Sequence, residues 1–147
     1  MNDTIIKFLE KQTCATICCV DEEGKPYCFS CFYAFNAEEG LIYFKSFAES
    51  YHSILMKKNS FIAGTILPDK LKTLVVKGVQ FEGDVAGTDD SLMKQASAYY
   101  HKRHPLALAM SGDIWIIQMN NIKMTDSTMG FGKKITWSSD EKVKVMV

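Results

Sequence analysis

The segment Lys45-Ser46-Phe47-Ala48-Glu49-Ser50-Tyr51-His52 gathers groups that can recognise an anion. The end of a strand, two serines and the start of a helix together offer hydroxyls and backbone N–H groups, which are what a phosphate needs. Ser46 and Ser50 fit equally the plainer roles of loop and helix-capping residue. Cys28 and Cys31 form a C-x-x-C, a spacing used for zinc and for thiol redox chemistry. They fall in an apparent strand, where residues three apart point to opposite faces, so the pair cannot chelate one ion together. Cys18 and Cys19 lie near them, but no second C-x-x-C or H-x-x-x-H completes a set, and the thiols read as structural.

His101 and His104, three apart at the end of a helix, have the spacing to share a metal or an anion. No third ligand is in view, and a solvated basic helix end, favoured by the helix dipole, accounts for them as well. Gly130-Phe131-Gly132-Lys133-Lys134 invites a phosphate-loop reading, yet it lacks the P-loop spacing and precedes no helix. Neither a Ser-His-Asp order nor a paired-carboxylate motif stands out for hydrolysis.

These groups sit in a chain of 147 residues, 47% hydrophobic and 23% charged, which suits one globular domain across residues 1–147. Seventeen basic residues balance 17 acidic ones, without the basic excess of a nucleic-acid binder. There is no 18-residue apolar run, so no membrane span is expected. Asp3, Lys7, Glu10 and Lys11 interrupt the N-terminus, which lacks the apolar core of a signal peptide. Five thiols fit a reducing compartment, and a cytoplasmic protein is expected.

The positioning elements follow from periodicity. A short helix buries Ile5, Ile6, Phe8 and Leu9, and strands over residues 14–20 and 27–35 form a hairpin around Asp21-Glu22-Glu23-Gly24. A third strand covers 41–45, a helix 50–58 and a fourth strand 61–67. Residues 73–85 read as one long strand. Val75, Val79, Phe81 and Val85 lie on its apolar side and Gln80, Glu82 and Asp84 on the other. Gly78 and Gly83 interrupt it, which predicts bulges or a close approach. Asp89 and Asp90 open a helix that Pro105 ends, and residues 113–124 form the last strand. Antiparallel hairpins with few helices make an α+β, mostly β fold: a barrel-like sheet with helices outside.

In that setting, Gly78-Val79-Gln80-Phe81-Glu82-Gly83-Asp84-Val85 and residues 125–137, TDSTMGFGKKITW, resemble the bacterial YhbP-like family. Ala63-Gly64-Thr65, Lys72-Thr73 and Cys31-Phe32-Tyr33-Ala34-Phe35 match its pattern too. That family is similar to the pyridoxamine 5'-phosphate oxidase-like proteins, whose fold is the FMN-binding split barrel. The resemblance implies a homodimer with FMN at the subunit junction, acting as an oxidoreductase on a small molecule. The alternative on the same scaffold is a non-catalytic binder of flavin, haem or another small ligand, serving as a dimeric regulator. Basic residues are expected at 51 and 52, where Tyr51 and His52 stand; Lys45 is a cation that could compensate. By resemblance, Ser46, Ser50 and His52 meet the phosphate, and Ser30, Cys31 and Phe32 run beneath the ring. Gln80 is the side-chain candidate for the ring edge, with a solvated strand face as the other reading of Gln80 and Glu82. The resemblance also makes residues 125–137 a tail across the barrel or dimer, anchored by Trp137, with Lys133 and Lys134 near an anion.

Overall fold

The computed structural model describes residues 1–87, 89–130 and 132–140. Phe131, within the glycine-rich segment singled out above, lies outside the described residues. Helix α1 (Asp3–Lys11) starts at Asn2, whose side chain accepts from the Thr4 N–H, and turns Ile5, Phe8 and Leu9 inward. Strands β1 (Cys14–Val20) and β2 (Pro26–Asn36) form the expected hairpin, with Gly24 at φ +80° in the turn. Then come β3 (Leu41–Ser46), α2 (Tyr51–Lys58), β4 (Phe61–Ile66), β5 (Lys77–Val85), α3 (Asp90–Arg103), β6 (Asp113–Asp126) and β7 (Lys134–Ser138).

All neighbouring strands are antiparallel, in the order β3-β2-β1-β4-β5-β6-β7, and β3 also pairs with β6. That extra pairing closes six strands into a barrel and leaves β7 as an added strand on the far half of β6. The fold is the split barrel expected from the sequence. Alternation decides what lies inside: Ile17, Ile42, Phe44, Ile66, Val79, Phe81, Ile117 and Met119 fill the interior. Helices α1 and α2 add Leu9, Leu55 and Met56 to the same core. Helix α3 covers the outside of β2, β3 and β6, burying Ala96 and Tyr100 against Ala34, Tyr43 and Ile116.

The strand expected over residues 73–85 begins only at Lys77. Residues 73–76 turn instead, the Val75 N–H bonding to the Lys72 carbonyl. The reason is a missing partner: Lys77 pairs with Asp126, the last residue of β6. Beyond it Ser127 starts a 3-10 turn whose hydroxyl accepts the Val76 N–H. Leu74 is therefore left 94% exposed rather than laddered. The short β7 went unforeseen as a strand, although Trp137 within it is buried on the barrel. Between Glu82 and Gly83 the β5–β6 register slips, so Glu82 faces Asn121 while Gly83 faces Met119. This is the bulge that Gly83 signalled.

Candidate functional site

The registers place one polar row straight across the outer face of the sheet. Ser30 on β2 opposes Thr16 on β1, which opposes Thr65 on β4. Thr65 opposes Gln80 on β5, Gln80 opposes Lys123 on β6, and Lys123 opposes Thr136 on β7. All six are exposed, because each stands at the outward phase of a strand whose neighbours fill the barrel. Ser30 and Thr16 share a hydroxyl contact of 3.2 Å. A second row runs beside it through Cys28, Cys18, Ala63, Glu82, Asn121 and Ser138.

Apart from Ser30, these residues line a cleft of about 720 Å³, within the range of small-molecule sites. Lys123 is the one cation and Glu82 the one carboxylate among its described lining residues. Ala63 keeps its middle low, standing between Cys18 and Glu82, while Gly64 has the inward phase and makes room for the Phe81 ring in the barrel interior.

The expected site residues divide into two groups. Gln80 and Ser30 belong to the polar row, with Phe32 exposed on the same face of β2. Cys31 has the opposite phase and packs against the core, and burial pushes its thiol pKa up to about 12. Its backbone faces β1, because the Tyr33 N–H donates to the Thr13 carbonyl, making residues 13 and 33, and then 15 and 31, hydrogen-bonded pairs. The backbone groups of Ser30 and Phe32 consequently point to the opposite edge. There the ladder with β3 begins at Tyr33, so Ser30 lies beyond its end.

At the end of β3 the second group gathers. Ser46 Oγ lies 2.6 Å from His52 Nε2, and the His52 ring stacks on Phe29 at 3.8 Å and 11°. Ser50 occupies the N-cap of α2, but its hydroxyl makes no capping bond. The first-turn N–H groups of α2 thus lack both an intrahelical and a side-chain acceptor among the described residues. Ser53, fully buried one turn in, also leaves its Oγ without a hydrogen-bond partner there. This half of the site suits a phosphate through hydroxyls and N–H groups.

It holds no cation of its own. Lys45 stands on the opposite face of β3 from Ser46, donating to the Ala107 carbonyl at 2.9 Å and lying 3.2 Å from His101 Nε2. Tyr51 meets Tyr27 edge-on at 4.9 Å. His101 and His104 do not converge either, since His104 Nε2 reaches the Tyr33 carbonyl oxygen at 2.6 Å. Lys133 and Lys134 stand outside the cleft lining.

Burial lowers the His52 pKa below its ordinary value, which keeps the ring neutral at pH 7. A depressed folded-state pKa favours the unfolded chain as the proton binds. The stability His52 contributes is therefore complete above about pH 6.5 and is lost as pH falls through the folded-state pKa. Thermal unfolding followed from pH 8 to pH 5 should show a decline in melting temperature that His52→Gln reduces.

Thr16, Thr65, Lys123 and Thr136 were not anticipated. Each stands two residues from another small or polar residue in its strand, a pattern that marks an outer face. Only the register, though, puts the four in line with Gln80.

No family model matches the chain. It is 38% identical over 133 residues to a UPF0306 protein of Photorhabdus laumondii, covering 90% of this chain and 92% of that one. With the UPF0306 protein YhbP of Escherichia coli it shares 32% identity over 133 residues, 90% of each chain. Among solved structures, a heme binding protein from Mycobacterium smegmatis superposes with a TM-score of 0.77 at 12% identity. That match covers 90% of this chain and 55% of the longer one. A FAD-binding protein from Mesorhizobium loti superposes with a TM-score of 0.70 at 14% identity, covering 86% of this chain and 94% of that one. An F420 reductase reaches 0.59 at 14% identity, covering 79% of this chain and 93% of its own.

Proposed function

This chain belongs to the UPF0306 (YhbP) family of split-barrel proteins, and from that footing we propose that it binds FMN between two copies of itself and serves as a flavin-dependent oxidoreductase. The observation that carries this reading is the polar row on the sheet face. Its six residues step across six strands, about 24 Å at ~4.8 Å per strand. That span exceeds one tricyclic ring, and an open sheet face offers a ring only one wall.

Two copies related by a two-fold axis resolve both points, because each flavin then meets different ends of the row. The Ser30 end supplies the backbone of Ser30 beyond the end of the β3 ladder, with Ser46, Ser50 and the α2 N–H groups for the phosphate. The other end supplies Gln80 of the partner subunit for the pyrimidine edge and Lys123 of the partner subunit as the cation that this end of β3 lacks. Bound flavin supplies hydride and electron transfer, and positive charge near its pyrimidine edge favours the reduced anion. The chain's own residues bind it, orient it and shield it from water; the substrate is a small molecule that fits over the ring.

Support from known folds is of one kind: proteins of this architecture carry names that include FAD-binding protein and F420 reductase. The non-catalytic reading draws on the heme binding protein of the same fold. Absorbance separates the two. The flavin reading predicts visible flavin bands after reconstitution with FMN and their bleaching by NADH or NADPH. A Soret band on adding haem, with no flavin uptake, would overturn it.

A further inference from the structure

Cys18 and Cys28 stand directly opposite each other on β1 and β2, on the cleft face of the sheet. Their pairing type follows from two backbone bonds in the same hairpin. The Asp21 N–H donates to the Lys25 carbonyl and the Tyr33 N–H to the Thr13 carbonyl. Antiparallel pairs alternate between hydrogen-bonded and non-hydrogen-bonded, so 13/33 and 21/25 make 15/31, 17/29 and 19/27 hydrogen-bonded as well. Cys18/Cys28 then falls in the non-hydrogen-bonded class, where Cα atoms sit about 4.5 Å apart and side chains approach most closely. That separation lies within the window of about 4.4–6.8 Å that a disulfide spans without backbone movement. Both thiols are free, Cys28 is exposed and Cys18 partly so.

The other thiols offer no such pair. Cys14 opposes Phe32, Cys19 opposes Tyr27, and Cys31 opposes Ala15. Cys19 and Cys31 also have the inward phase. The C-x-x-C spacing of Cys28 and Cys31 therefore misleads. The partner of Cys28 is ten residues back, across the turn.

We propose that Cys18 and Cys28 are a redox modification site that forms a reversible cross-strand disulfide by exchange with a small disulfide such as oxidised glutathione. One cysteine thiolate attacks a sulfur of the small disulfide, whose S–S bond breaks to release one thiolate. The second cysteine thiolate attacks the mixed disulfide, forming the protein S–S bond and expelling the other small thiolate. The two protein sulfurs together lose two electrons, the reagent gains them, and the two thiol protons pass to the released thiolates. Reduction by a dithiol reverses the sequence. The new bond lies on the cleft floor beside Ala63 and replaces two thiols there. This site does not rest on the flavin reading.

The test uses the full chain. Protein incubated with oxidised glutathione is alkylated and cleaved after acidic residues; a cut at Glu22 or Glu23 separates Cys18 from Cys28. Mass spectrometry should show loss of two free thiols and a cross-link between the two peptides, assigned by fragmentation to Cys18 and Cys28. Dithiothreitol should remove it. Cys18→Ser and Cys28→Ser should each abolish the cross-link and leave a single glutathione adduct, whereas Cys31→Ser should leave it intact. Five alkylated thiols, glutathione adducts without a cross-link, or a cross-link to another cysteine in the wild-type chain would each overturn the proposal, with no variant needed.

Discussion

Ser46→Ala/Ser50→Ala lowers FMN affinity by about 1–3 kcal/mol, a 5- to 150-fold loss, while riboflavin binding stays within about twofold. The difference arises because riboflavin lacks the phosphate that these hydroxyls serve. Ser46 Oγ is already oriented by His52 Nε2 at 2.6 Å, and the Ser50 hydroxyl is not engaged in capping its helix. A phosphate at this strand end meets hydroxyls and first-turn N–H groups whose dipoles favour negative charge. With His52 held neutral by burial and Lys45 on the far face of β3, hydrogen bonds carry a large share of the phosphate recognition. Fluorescence titrations of both ligands against both proteins check this. Equal losses for FMN and riboflavin would mean that the substitutions had disturbed the barrel and not a phosphate site.

Gly83→Val destabilises the fold by about 3 kcal/mol, toward the upper end for overpacked sites, whereas Gly87→Val changes stability by no more than about 0.5 kcal/mol. A Cβ on Gly83 would stand 2.4 Å from the Gln118 carbonyl oxygen and 3.0 Å from the Ile117 side chain. The first of these is backbone, held between β5 and β3 by β6, and cannot swing aside. Relief requires the strands to separate at the bulge, at the cost of neighbouring ladder bonds. By contrast, a Cβ on Gly87 meets nothing within 4 Å. Against a total stability of about 5–15 kcal/mol, a loss of 3 is large, and it lowers the melting temperature by roughly 6–12 °C. Melting by circular dichroism decides it; equal melting temperatures for the two variants would contradict the bulge geometry.

Gly83 shows how far the sequence can be read. An apolar–polar alternation broken by glycine implied a strand with a close approach, and the approach is there, although its partner in β6 was invisible. Alternation likewise placed Gln80 on the outer face and Cys28 and Cys31 on opposite faces, because side-chain phase is a local property of a strand. What crosses strands was not legible. Thr16, Thr65, Lys123 and Thr136 lie far apart in the chain and become one row only through pairings that the sequence does not encode locally. The same limit hid Cys18 as the partner of Cys28. Residues 73–76 have strand-forming side chains, yet β6 ends at Asp126, and among the described residues only Val76 of the four meets a partner there, Ser127 in the turn that follows. Lys45 and Ser46 are adjacent in sequence and so take opposite faces of β3, which separates the cation from the hydroxyl it was expected to assist.

The central claim is a flavin site shared between two copies of the chain, and FMN titration with subunit mixing tests it most directly. The wild-type protein should bind FMN saturably, two per dimer. Ser46→Ala/Ser50→Ala and Gln80→Ala/Lys123→Ala proteins should each bind weakly. Mixed and allowed to exchange subunits, they should regain tight sites, because in each heterodimer one flavin meets only unaltered residues. Absence of wild-type binding at a large FMN excess would contradict the flavin assignment. Tight wild-type binding by a monomer, or no recovery on mixing, would contradict the shared site.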